Sequence, residues 1–157
     1  NNMKIEHVAI WTDNLERLKE YYMKYFGAVP GDKYHNSSNG FSSYFLVFGT
    51  GARLEIMFMA DIPSNLNDTV YRQHKGIIHL AFAADSIAEV EKKAAELQED
   101  GFPILKGPRL TGDGYYEFET LDPDSNRIEV TFRTLEFWIF QKCRIGKMNS
   151  SKIYRYN

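Results

Sequence analysis

The sequence predicts an α+β fold: two tandem βαβββ modules whose strands form a curved mixed sheet around a cavity, with the helices outside. Three observations carry that prediction. Residues 5–18, IEHVAIWTDNLERL, align without a gap on residues 77–90, IIHLAFAADSIAEV, at an offset of 72 residues. Residues 52–58, ARLEIMF, share the order Arg, aliphatic, Glu, aliphatic, any, Phe with NRIEVTF at 126–132, at an offset of 74. Between these matched ends each half holds one amphipathic helical stretch and several short β-rich runs. A repeat of this kind sets the architecture, so it is read before any motif.

Each half opens with a strand, marked by His7 in the first and His79 in the second. A helix follows. Asp13 with Glu16, and Ser86 with Glu89, have the spacing of a capping box, in which two side chains satisfy orphan N–H groups reciprocally. Leu15, Leu18, Tyr22 and Phe26 then recur at helical spacing up to Gly27, as do Ile87, Val90, Ala94 and Leu97 up to Gly101. Three shorter runs complete each half: residues 30–34, 43–48 and 52–58, then 102–107, 115–121 and 126–132. The turns before the last strands come from Gly49 to Gly51 and from the DPDSN stretch at 122–126. The modules are therefore expected at 1–59 and 77–133, joined by a linker or lid at 60–76. Residues 134–157 match neither half and form a C-terminal extension of local charge +4.

A formal charge of −2 over 157 residues argues against a nucleic-acid surface, which is normally basic, and leaves small molecules as the expected partners. The single cysteine, Cys143, allows no intrachain disulfide. No run approaches the roughly 18 apolar residues of a membrane span. A cytoplasmic protein with no membrane partner is the expectation.

Strand alternation then sorts the faces. His7 shares one with Ile5, Ala9 and Trp11, and His79 shares one with Ala81 and Ala83. Glu55 lies with Arg53 and Met57, and Glu129 with Arg127 and Thr131. The opposite faces are more uniformly apolar and should pack on the helices. Two imidazoles and two carboxylates are thus placed away from the helices, where they can converge as a ligand set for Zn²⁺, Ni²⁺, Co²⁺, Mn²⁺ or Fe²⁺. One strand histidine alone is more often structural; four matched positions carry more weight. Tyr44, Tyr116 and Glu117 are further candidates for lining the cavity. His35 and His74 fall in expected loops and receive no role.

On EHVAI, RLEIM, IHLAF and DPDSNRIEV, over residues 3 to 133, the chain resembles the vicinal oxygen chelate superfamily, the glyoxalase, bleomycin-resistance and extradiol dioxygenase group. His7, Glu55, His79 and Glu129 match the His, Glu, His, Glu order of bacterial glyoxalase I. The resemblance implies a lactoylglutathione lyase-like enzyme that isomerises a hemithioacetal, or a similar 2-oxoaldehyde adduct, through a metal-bound enediolate. It also implies a divalent metal, with Ni, Zn or Co ahead of Mn or Fe, and a homodimer. Glu129 is then the catalytic base, and Glu55 a ligand or a partner in proton transfer. Glutathione-using members commonly have Arg four residues after the first ligand and Asn four after the second. Trp11 and Met59 stand there instead, which counts against glutathione as the thiol. Lys75, four residues before His79, falls where a basic residue is frequent. Trp11, Met59 and Lys75 are the expected substrate contacts. Two alternatives remain: a methylmalonyl-CoA epimerase-like proton-transfer enzyme, disfavoured by Glu rather than Gln at 55, and a small-molecule binding or resistance protein without catalysis.

Overall fold

Alternation along the strands of the first module places its apolar side chains on one face, and a helix covers that face. The computed structural model describes residues 2–64 and 70–134. Expectations for the extension beyond Thr134, Cys143 included, lie outside the described residues. The elements run β1 (His7–Trp11), α1 (Leu15–Phe26), β2 (Val29–Pro30), β3 (Tyr34–Asn36), β4 (Phe41–Val47) and β5 (Arg53–Phe58), then β6 (His79–Ala83), α2 (Ile87–Glu99), β7 (Ile104–Leu110), β8 (Tyr115–Leu121) and β9 (Arg127–Arg133). This is the expected α+β fold, with two modules of one helix each. The strands divide into two sheets, one from each module. By compactness the chain forms two units. One takes the described residues up to Leu80 together with Thr120–Ile128, and the other takes Ala81–Glu119 and the described residues from Glu129 on.

The first sheet has the order β1-β5-β4-β2, with β3 also paired to β4. It is mixed: β1 and β5 are parallel, with His7 opposite Arg53, Ala9 opposite Glu55 and Trp11 opposite Met57. The other pairs are antiparallel. Leu46, Leu54 and Ile56 are buried, as are Leu18 and Tyr22 of α1, which packs on β4 and β5. Each such aliphatic side chain stabilises the fold by about 1.5–3 kcal/mol relative to leaving it exposed. The reading of 30–34 as one strand is corrected. After Gly31 donates its N–H to the Phe45 carbonyl at 2.9 Å, the chain leaves the ladder and re-enters as β3. A turn closed by the Gly40 N–H on the Asn36 carbonyl then leads β3 back into β4.

The start of α1 differs from the expected capping box by one residue. Asn14, not Asp13, is the N-cap, its side chain accepting the Arg17 N–H at 3.0 Å. Glu16 does not reach back, because its carboxylate is held by Lys19 and by the Tyr44 hydroxyl. Gly27 ends the helix at φ +64°, a left-handed conformation that costs a glycine little. In α2 the cap forms where expected, Ser86 accepting the Glu89 N–H at 3.1 Å, but the Glu89 carboxylate accepts the N–H of Asp85 at 2.6 Å, one residue before the cap, rather than that of Ser86.

The second sheet has the order β6-β9-β8-β7. One ladder bond shows the repeat directly. Thr12 donates its N–H to the Met57 carbonyl at 2.8 Å, and Ala84 donates to the Thr131 carbonyl at 2.8 Å. These residues correspond at offsets of 72 and 74, so the first and last strands of both modules share one register. Val90 and Leu97 of α2 and Phe118 of β8 are fully buried.

The DPDSN turn is tied into the first unit. The buried carboxylate of Asp122 accepts the N–H groups of Asp124 and Asn126, the Asn126 amide and the Tyr22 hydroxyl, the last at 2.8 Å. Burial nevertheless raises the Asp122 carboxyl above the usual aspartate range, those donors opposing it in part. Asp124 takes the Thr12 hydroxyl and the Arg17 guanidinium.

Candidate functional site

On the side of the first sheet away from α1, β1 and β5 bring His7 and Glu55 together, the Nε2 of His7 lying 3.8 Å from a Glu55 carboxylate oxygen. Side chains paired in register share a face, and these two come from neighbouring register positions. The other ring nitrogen of His7, Nδ1, is hydrogen-bonded to the Glu6 carboxylate, which also pairs with Arg53. His7 first, and then Arg53, hold the Glu6 carboxyl below its usual range. When Nδ1 donates to Glu6, Nε2 is the nitrogen of His7 left on the side of Glu55. This is the carboxylate–histidine arrangement that orients a metal-ligating imidazole. Phe45 packs against the His7 ring edge to face, and the Arg53 guanidinium lies over Phe45, so the pair sits on a packed floor.

Two ligands of one divalent ion at ~2.1 Å lie roughly 3–3.5 Å apart. The 3.8 Å between His7 and Glu55 therefore accepts an ion with a small movement, and a neutral imidazole with a carboxylate is a donor set such ions take. Among the described residues, no group of three or more His, Cys, Asp or Glu side chains is gathered to hold a metal. His79 opens β6 and Glu129 sits within β9, neighbours in the second sheet.

In the second unit Glu129 has a carboxylate neighbour. Glu117 is largely buried, and its carboxyl is raised above the usual range by desolvation first and by the charge of Glu129 second. Arg109 approaches Glu117 at 3.6 Å and opposes that rise. Tyr44 and Tyr116, expected as cavity-lining residues, turn their hydroxyls to the helices. Both hydroxyls bond helix carboxylates at 2.8 Å, Tyr44 to Glu16 and Tyr116 to Glu91. Alternation accounts for this, since Glu117 follows Tyr116 and takes the opposite face.

Beyond Ala9 a cavity of about 490 Å³ opens at the ends of β1 and β5. Trp11 and Met59, both expected as substrate contacts, line it. Lys75 is exposed in a bend and is not among its lining residues. Sequence reasoning missed two contributors, Ile62 with Pro63 and the DPDSN turn itself, whose Asp124 and Asn126 reach the cavity. The turn was legible only as a turn. Glu6 was missed as well, and its only signal was its place beside His7.

The family model of the Glyoxalase/Bleomycin resistance protein/Dioxygenase superfamily matches residues 4–130. The uncharacterized protein YqjT of Bacillus subtilis (strain 168) is 23% identical over 129 residues, covering 80% of this chain and 96% of YqjT. A glyoxalase family protein from Enterococcus faecalis superposes with a TM-score of 0.65 at 26% identity, over 82% of this chain and 96% of that one. The trypanothione-dependent glyoxalase I of Leishmania major superposes with a TM-score of 0.66 at 17% identity, over 97% and 99% of the two chains, a likeness of fold.

Proposed function

Because the chain belongs to the Glyoxalase/Bleomycin resistance protein/Dioxygenase superfamily, we propose that it is a metal-dependent lyase or isomerase of the glyoxalase I kind, acting on the hemithioacetal of a small 2-oxoaldehyde. The observation that supports this most is the oriented pair of His7 and Glu55, with Nδ1 of the imidazole taken by Glu6. His7 and Glu55, with His79 and Glu129, would hold a divalent cation, which when bound supplies Lewis-acid stabilisation of the negative charge that develops on the substrate oxygens. Glu129 removes the proton from the carbon bearing sulfur and hydroxyl and returns it to the neighbouring carbonyl carbon, while the hydroxyl proton passes to the former carbonyl oxygen. The hemithioacetal thereby becomes a 2-hydroxy thioester with no net change in atoms or electrons. Glu55 stays on the ligand side of this division of labour, fixed beside His7. Trp11 and Met59 would contact the adduct from the cavity that they line.

Two measurements test this reading. Ni²⁺, Zn²⁺ or Co²⁺ should raise thermal stability, by about 2.7 kcal/mol at a hundredfold excess over its dissociation constant. Glu129→Gln should lose about a hundredfold or more in turnover of methylglyoxal–thiol adducts while keeping the fold. Wild-type turnover in that variant removes Glu129 as base, and an unchanged melting temperature with all three metals removes the metal site.

A further inference from the structure

The cavity at the ends of β1 and β5 is lined from Ala9 onward, and Ala9 stands in register with Glu55, two residues along β1 from His7. Its wall is apolar where Trp11, Met59, Ile62 and Pro63 form it. Its charges have one sign. Asp13 and Asp124 line it, and among the described residues that do so there is no Lys, Arg or His. Asp124 is already neutralised by Arg17 and bonded by Thr12. Asp13 is exposed and has no hydrogen-bond or ion-pair partner among the described residues.

We infer that this cavity receives the non-reacting arm of the adduct and selects an apolar arm that ends in an alkylammonium group, an inference that rests on the reaction proposed above. Trp11 is 40% exposed, and its ring contact is an edge-on one with Phe41 at 6.0 Å, which leaves indole surface for a cation. Asp13 supplies the countercharge beside it. A carboxylate or phosphate arm would be desolvated against Asp13 with no cation to meet it, which is unfavourable. The N-terminus of α1 would otherwise attract an anion, but Asn14 caps it and Asp124 flanks it.

Three thiols that differ mainly in the charge of the arm test this: thiocholine, its neutral carbon isostere 3,3-dimethylbutane-1-thiol, and 3-mercaptopropionate. The common thiol cancels the affinity of sulfur for a metal, and a parallel titration in excess EDTA removes chelation by the carboxylate of 3-mercaptopropionate. Calorimetric titration of the whole protein should rank them cation, neutral, anion, with about tenfold or more between first and last. Asp13→Asn should flatten the ranking and Asp13→Lys should reverse it. Equal affinities, or a preference for 3-mercaptopropionate in the wild-type protein, overturn the inference, as does an unaltered ranking in both variants. Turnover of the three methylglyoxal adducts is followed separately. The cation-first ranking with no turnover sinks the lyase reading and leaves the cavity assignment standing, whereas turnover that favours the anionic adduct does the reverse.

Discussion

His7 presents two ring nitrogens, and Glu6 occupies one of them. If that bond fixes the tautomer, Glu6→Gln should weaken Ni²⁺ binding by about tenfold or more, read by competition with a chelating dye, while the melting temperature of the metal-free protein stays near wild type. Unchanged metal affinity would leave Glu6 only its ion pair with Arg53. The role of Glu6 was hidden in the sequence for a physical reason. Strict alternation sends neighbouring strand residues to opposite faces, but Glu6 lies just before β1, its carbonyl accepting the Arg53 N–H, and its carboxylate turns to its own neighbour His7 and to Arg53. His7 and Glu55 were legible because both lie inside strands that obey the pleat.

Helix α1 is tied to the first sheet by a cluster around Glu16, whose carboxyl is lowered to about 2 by Lys19 first and Tyr44 second. A depressed carboxyl contributes stability above its ordinary value of 4.5 and loses it as pH falls through about 2. Glu16 is half exposed, so solvent screens most of that contribution. Glu16→Gln should therefore cost under about 1 kcal/mol at pH 7 by denaturant unfolding, and the difference should vanish as pH falls below 2. The expected box at Asp13 and Glu16 failed because Asn14 caps equally well and the sheet competes for Glu16. The spacing in the sequence carries no information about either. In β7, Gly107 has φ +81°, and a Cβ there would lie 2.4 Å from the Glu117 carbonyl oxygen. The obstacle is backbone, so Gly107→Ala should cost about 2–3 kcal/mol, measured by urea titration.

At the scale of the whole molecule, the repeat was readable because matched strands and helices face matched packing demands, and the paired bonds from Thr12 and Ala84 show how closely the backbone follows it. What the repeat could not show is where symmetry stops. Asp122 and Asp124 have no acidic counterparts in the first module, where the aligned positions fall at Phe48 and Thr50, yet they bond Tyr22, Thr12 and Arg17. A chain cut after residue 119 would leave the buried Tyr22 hydroxyl without its acceptor, a loss of about 1–3 kcal/mol before the rest of the segment is considered. Such a fragment should show no cooperative melting by circular dichroism. The same bonds bear on the order of events at the ribosome. A domain made of one continuous stretch can fold as soon as that stretch emerges, well before synthesis ends. Here the first unit draws on residues 120–128, so its completion waits until most of the second module has been translated. Until then the newborn chain carries an unfinished first unit, and slower elongation through the stretch that ends in DPDSN lengthens its exposure to chaperones.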